Sequence, residues 1–229
     1  APEGALAVSG NTKFDNLAPA LDEAKLKPLR AAVDFPPGQS VFIAGSTHDG
    51  EVEPVLEMFA RLREKHQLRL LIAPRYVDRA TRIEQSCDRL GLPHRRRSTG
   101  ATEDTPVVIL DTIGELATAY ALGDVVFVGG SFTDRGGQNI LEPAVHGKPV
   151  VFGPHMENFA DSVTLLLGRG GIQATTWEQL ERVVDDLFQR DDYRRELGTL
   201  AKNMVAKVSG ASERNGKIIA DLLPPAAAS

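Results

Sequence analysis

Arg75, Asn139 and Glu142 are the residues of this chain whose type and position suit chemistry on an anion and a sugar. Arg75 comes directly after Pro74, which breaks the apolar run Leu68 to Ala73, so it sits at the carboxyl end of a predicted strand, where ligands of α/β sheets bind. Asn139 and Glu142 are three residues apart at the start of a short helical stretch. That spacing fits an N-cap and its N3 partner, and it equally fits a carboxylate accepting hydrogen bonds from a ribose diol. Pro143 lacks an N–H and restricts Glu142, which confines both to the first helical turn. On residue physics alone the two readings of Glu142 stay open.

The loop that leads to this pair has the same flavour. Val125 to Val128 is a short apolar run bounded by Asp124 and Gly129-Gly130, the pattern of a fully buried strand. Ser131 and then Gly136-Gly137 follow, a helix is predicted around Ile140 to His146, and a second apolar run spans Pro149 to Phe152. Strand, loop, helix and strand within about thirty residues make one βαβ unit. Gly130, Ser131 and Gly137 let the backbone approach a ligand, or serve as plain turn residues, while the helix offers free N–H groups to a phosphate.

Other chemistries fit poorly. His48, His146 and His155 have no second ligand at metal spacing, so no metal site is expected. There is no GxSxG elbow, and the glycine pairs are too far apart for a GxGxxG dinucleotide loop, so no cofactor is expected either. Cys87 has no partner cysteine and reads as inert, and Trp177 reads as a packing residue.

The elements that would hold these residues alternate. Ser40 to Ala44 is a buried-type strand, followed by the turn Gly45-Ser46-Thr47-His48 and a helix with Val52, Val55, Leu56, Phe59 and Leu62 on one face. The Gly-Ser-Thr turn fits an approach to a phosphate and equally fits a plain N-cap, since Asp49, Glu51 and Glu53 already load that helix start with negative charge and suit its dipole. Residues 76 to 90 read as a charged helix, His94 to Arg97 and Pro106 to Leu110 as strands, and the basic run 94–97 as a solvated sheet edge. Asp111 or Thr112 is the expected cap of the next helix. Asn158 to Leu167 is a predicted helix with Val163, Leu166 and Leu167 inward, Ile172 to Ala174 a last strand, and Thr175-Thr176 with Glu178-Gln179 a capping signature. Helices over 192–208 and 212–222 close the pattern. Before residue 38, Ala5 to Val8 suggests a strand, Ser9-Gly10-Asn11 a turn, and 18–32, interrupted by Pro19 and Pro28, only short helical pieces.

This alternation predicts an α/β fold: one doubly wound, mainly parallel sheet with helices on both faces, over residues 1–229, with 1–37 as a lead-in segment and 224–229 as a flexible tail. At 229 residues with 42% hydrophobic residues, a core is assured. A net charge of −5 excludes non-specific nucleic-acid binding, which needs a basic face. A single cysteine suits a reducing compartment. No run reaches membrane-span length, no signal peptide is visible, and a start at Ala1 reads as a piece of something longer.

The string GGSFTDRGGQNILEPAVHGKPVVFGPHMENF resembles the corresponding stretch of the Kdo transferases, glycosyltransferases that move 3-deoxy-D-manno-oct-2-ulosonic acid from its CMP-activated form onto a lipid A precursor. SGNTKFDN, AGSTHDGEVE, APRYVDR and DTIGELATAYALGDVVFVGGS agree in the same order, so the likeness runs from about Gly10 to about Ala220. It implies a Rossmann-like, GT-B C-terminal domain that binds CMP-Kdo, with contacts at Pro74-Arg75, Ile113-Gly114-Glu115 and Asn139-Ile140-Leu141-Glu142. It also implies that an N-terminal acceptor domain carrying the general base is absent, so no catalytic residue is expected in this chain, which is expected to be inactive alone. The full-length protein would work at the cytoplasmic side of the bacterial inner membrane, and this chain by itself would be soluble. Two rivals remain: a UDP-sugar transferase or epimerase, and a Rossmann-type interaction domain without a ligand.

Overall fold

The computed structural model describes residues 12–15, 22–100 and 105–222. The sequence-predicted strand Ala5 to Val8, the turn at 9–11 and the tail 224–229 lie outside the described residues. In chain order the elements are α1 (Glu23–Val33), β1 (Ser40–Thr47), α2 (Val52–Lys65), β2 (Leu68–Pro74), α3 (Ala80–Arg89), β3 (His94–Arg96), β4 (Val107–Ile109), α4 (Leu116–Ala119) and β5 (Val125–Val128). They continue with α5 (Leu141–Val145), β6 (Val150–Phe152), α6 (Ala160–Leu166), β7 (Gly171–Gln173), α7 (Trp177–Gln189), α8 (Asp191–Val208) and α9 (Ala211–Leu222).

The strands form one sheet in the order β3-β4-β2-β1-β5-β6-β7, and every neighbouring pair is parallel. Strand side chains alternate between two cores. Phe42, Leu70, Ile72 and Phe127 meet α2, α3 and α7 on one face; Ile43, Leu71, Val126 and Val128 meet α1, α5 and α6 on the other. Burial on both faces is why these strands read as unbroken apolar runs. From β1 the chain winds outward through β2, then crosses back to β5 on β1's other side. The carboxyl ends of β1 and β5 therefore flank the topological switch point, the edge at which ligands of such sheets bind.

Four expectations are corrected. First, residues 23–33 form one 11-residue helix despite the internal Pro28. Asp22 caps its start, accepting from the Ala24 N–H at 3.1 Å, and Leu26, Leu29 and Val33 are buried along one stripe. Its last carbonyls are taken by Arg95, which donates to Ala32 O at 3.0 Å and to Val33 O. Second, the basic run is accordingly not a solvated edge. Arg95 is buried, Arg96 forks onto Glu84 at 2.9 and 2.6 Å, and Arg97 donates to Glu115 at 2.8 Å.

Third, neither Asp111 nor Thr112 caps a helix: α4 starts only at Leu116, and Asp111 instead accepts from the Ser98 N–H at 2.9 Å. Fourth, Leu167 points outward, 49% exposed, because the chain has already left α6 at Leu166. The capping signature does form. Thr176 accepts from the Gln179 N–H at 3.2 Å, and Gln179 accepts from the Thr175 N–H at 2.8 Å.

Trp177 stacks on Phe132 at 4.1 Å, and burial pushes the Cys87 thiol up to about 12, so at neutral pH it holds no thiolate. Among the described residues no helix is long and apolar enough to cross a membrane.

Candidate functional site

The crevice is built from the ends of β1, β2 and β5. Near the end of β1, Ser46 takes the left-handed region (φ 55°), and the register with β2 shifts between Ala44 and Thr47. A non-glycine residue held there stores backbone strain, which clusters at functional sites. The tight turn has a local cause: Tyr120 is fully buried beneath it, and a side chain on Gly45 would collide with the Tyr120 ring. Beyond Ser46 the chain turns out to His48, whose ring meets that of Tyr76 edge-on at 6.0 Å.

Pro74 is the last residue of β2, paired with Thr47, and Arg75 follows with its N–H on Thr47 O at 2.9 Å. The Arg75 side chain is exposed, with its guanidinium 5.8 Å from the Tyr76 ring. Its charge is felt across the crevice: it opposes protonation of His48 and favours ionisation of Glu142. Arg75 thus acts electrostatically on Glu142, 67 residues away in sequence.

Glu142 lies in the first turn of α5. It does not close a capping box, because its carboxylate reaches no backbone N–H. It accepts instead from Asn139 Nδ2 at 3.2 Å, while Asn139 Oδ1 takes the Leu141 N–H at 3.1 Å. Burial raises the Glu142 carboxyl above the ordinary range, against smaller opposing effects of Asn139 and Arg75. Raised in the folded state, Glu142 makes stability fall as pH climbs from the ordinary carboxylate value through the raised one; below both there is no cost. Glu142→Gln is therefore expected to unfold at a higher temperature than wild type at pH 7 and at the same temperature near pH 3. Thermal melts at the two pH values check this.

The glycine loop has an internal partner. The N–H groups of Gly130 and Ser131 are taken by the Glu51 carboxylate at 2.7 and 3.0 Å, and the Ser131 hydroxyl donates to Val128 O at 2.7 Å. Gly137 donates to Gly130 O at 2.8 Å and adopts φ 79°, where a side chain would also collide with Met156. The helix-start acids are not idle dipole partners either. Glu51 points into this loop, Asp49 pairs with Arg82 at 3.0 Å, and Glu53 accepts from Ser86 and Arg89, each at 2.9 Å.

Ile140 and Leu141 are buried in the core, so only their backbone is available to a ligand. Ile113, 86% exposed, and Gly114, at φ 82°, lie on the neighbouring strand end, but no described hydrogen bond joins them to Arg75 or Glu142. Glu115 turns away from the crevice to Arg97 and Thr112. Two hollows flank the site. One of about 430 Å³ is lined by Asn139, Leu141, Asn158 and Phe159 among others; a smaller one, of about 80 Å³, is lined by Thr47, His48, Tyr76, Arg79 and Arg135.

Sequence reasoning missed Tyr120 and Arg135 and weighed His48 only as a metal ligand. Burial lowers the His48 pKa; Glu51 and Asp49 oppose this, and Arg135 and Arg75 add to it. The GxxH turn behind a buried strand was the available signal for His48. Nothing local marked Tyr120.

No protein-family model matches the chain. Solved glycosyltransferases share its architecture. HepE from Anabaena, crystallised with UDP and glucose, superposes with a TM-score of 0.63 at 16% identity, over 93% of this chain and 54% of that one. The fold is thus the Rossmann-like α/β domain of GT-B glycosyltransferases. The crystallised C-terminal CMP-Kdo binding domain of WaaA from Acinetobacter baumannii is more similar, with a TM-score of 0.72 and 28% identity over 80% of this chain and 99% of that one. The 3-deoxy-D-manno-octulosonic acid transferase of Haemophilus influenzae is 32% identical over 229 residues, 98% of this chain and 52% of the relative. The chain is a homologue of the Kdo transferases, and it spans about half the length of the curated relatives it matches.

Proposed function

We propose that this chain is the donor-binding domain of a Kdo transferase. It holds CMP-activated Kdo at the carboxyl edge of its sheet, and the full-length protein transfers the sugar to a lipid A precursor at the cytoplasmic face of the inner membrane. What supports the reading is the Asn139–Glu142 pair at the start of α5, with the Arg75 charge favouring ionisation of Glu142, in a chain that covers 99% of a crystallised CMP-Kdo binding domain.

In this reading Glu142 accepts the ribose hydroxyls, with Asn139 orienting the carboxylate. Arg75 and the turn at Gln138-Asn139 stabilise the charge that grows on the departing phosphate while the anomeric carbon becomes cationic. Pro74 sets where Arg75 leaves the sheet, and Ile113-Gly114 edges the nucleotide. The general base that takes the acceptor proton belongs to the other half of the full-length protein, so the chain alone binds donor without transferring sugar.

Calorimetric titration of CMP and UDP into the chain tests this. CMP is expected to bind at least tenfold more tightly than UDP, roughly 1.4 kcal/mol. A preference for UDP would favour a UDP-sugar enzyme, and no heat with either would favour an interaction domain. Transfer of Kdo by the isolated chain would contradict the proposal outright.

A further inference from the structure

Glu51 belongs neither to the proposed donor contacts nor to the apolar core, yet it is fully buried and has no salt-bridge partner among the described residues. Its two oxygens accept four backbone N–H groups: His48 at 2.9 Å and Gly130 at 2.7 Å on Oε2, Ser131 at 3.0 Å and Phe132 at 2.9 Å on Oε1. Three successive amides converging on one anion form the kind of concave nest with which glycine loops take phosphate. Here the anion is part of the protein. The loop also lies too close for anything between them, since a Cβ on Gly129 would stand 2.7 Å from Oε2.

We infer that Glu51 is a resident anion: it fills the nest after β5, locks that loop to the His48 turn across the switch point, and thereby denies the loop to the donor's phosphate. The phosphate is left to Arg75 and the turn 138–142. Only this last step rests on the donor reading. Glu51 is a positioning residue, acting through the amides it holds.

Anion rescue in the whole 229-residue chain tests the inference. Glu51→Ala empties the nest, so its thermal midpoint should fall by several degrees and recover with formate, acetate or inorganic phosphate at tens of millimolar. Wild type and Glu51→Gln, whose amide fills the space with the wrong polarity, should not respond. The CMP dissociation constant of Glu51→Ala should rise about tenfold and return with acetate, which loss of a merely structural contact would not do. In wild type, hydrogen exchange at Gly130, Ser131 and Phe132 should be slow without ligand, and saturating CMP should leave their amide resonances in place while moving those of Gln138 to Leu141.

A Glu51→Ala midpoint insensitive to all three anions overturns the inference, as do large CMP-induced shifts at Gly130 to Phe132. If Glu51→Ala does not fold, the wild-type amide measurements decide alone. If wild type binds no CMP, the donor reading falls while anion rescue still judges Glu51.

Discussion

Arg75→Ala is expected to weaken CMP binding about thirtyfold, from the loss of a charged hydrogen-bond donor worth ~2 kcal/mol. The melting temperature should stay within about one or two degrees of wild type, because substitutions at exposed positions without special contacts usually matter little. Arg75 meets both conditions: its side chain is exposed, and its nearest described ring contact is Tyr76 at 5.8 Å. Arg75→Lys should recover part of the affinity, since it keeps the charge and loses the planar fork. Raising salt should weaken wild type more than Arg75→Ala, because an exposed charge pair is screened. Calorimetry at two salt concentrations beside a thermal melt reads all of this. Unchanged CMP affinity in Arg75→Ala would remove that residue from the site.

Gly129→Ala should act in the opposite way, on stability. A methyl group there would come 2.6 Å from Ser46 O, 2.7 Å from Glu51 Oε2 and 2.8 Å from the Thr47 Cα. Two of these three neighbours are backbone atoms at the strained end of β1, and the third is pinned by four hydrogen bonds, so none can step aside. Overpacking of a tight site costs ~3 kcal/mol, which in a domain of this size lowers the melting temperature by roughly 10 °C. Denaturant titration should give the same loss of free energy. A melt indistinguishable from wild type would mean that the two loops are not clamped as described.

The sheet was legible because its chemistry is monotonous. Runs such as Val125 to Val128 are apolar throughout since both faces are covered, and the predicted strand coincides with β5. Arg75 and Glu142 could be found because strand ends and helix starts are local signals. What stayed hidden depends on distant partners. Pro28 argued against a helix, but Asp22 at one end and Arg95, more than sixty residues on, at the other support it. Glu51 looked like an ordinary helix-start acid, and three of its four amide partners lie 79 to 81 residues away. The glycines left ligand loop and plain turn both open for the same reason, since no single sequence tells which anion a loop embraces.

β1 and β5 lie side by side at the centre of the sheet, each bordered by a strand on both sides, while Tyr76, beside Arg75 and the His48 ring, stands 58% exposed at the edge of the site. The site therefore has a stiff floor and a pliant lip. Sub-global opening will start at that lip and leave the central strands shut. Adaptation to a differently shaped guest will come from rotamer changes at the mouth, and the charged groups beneath will keep one fixed spacing.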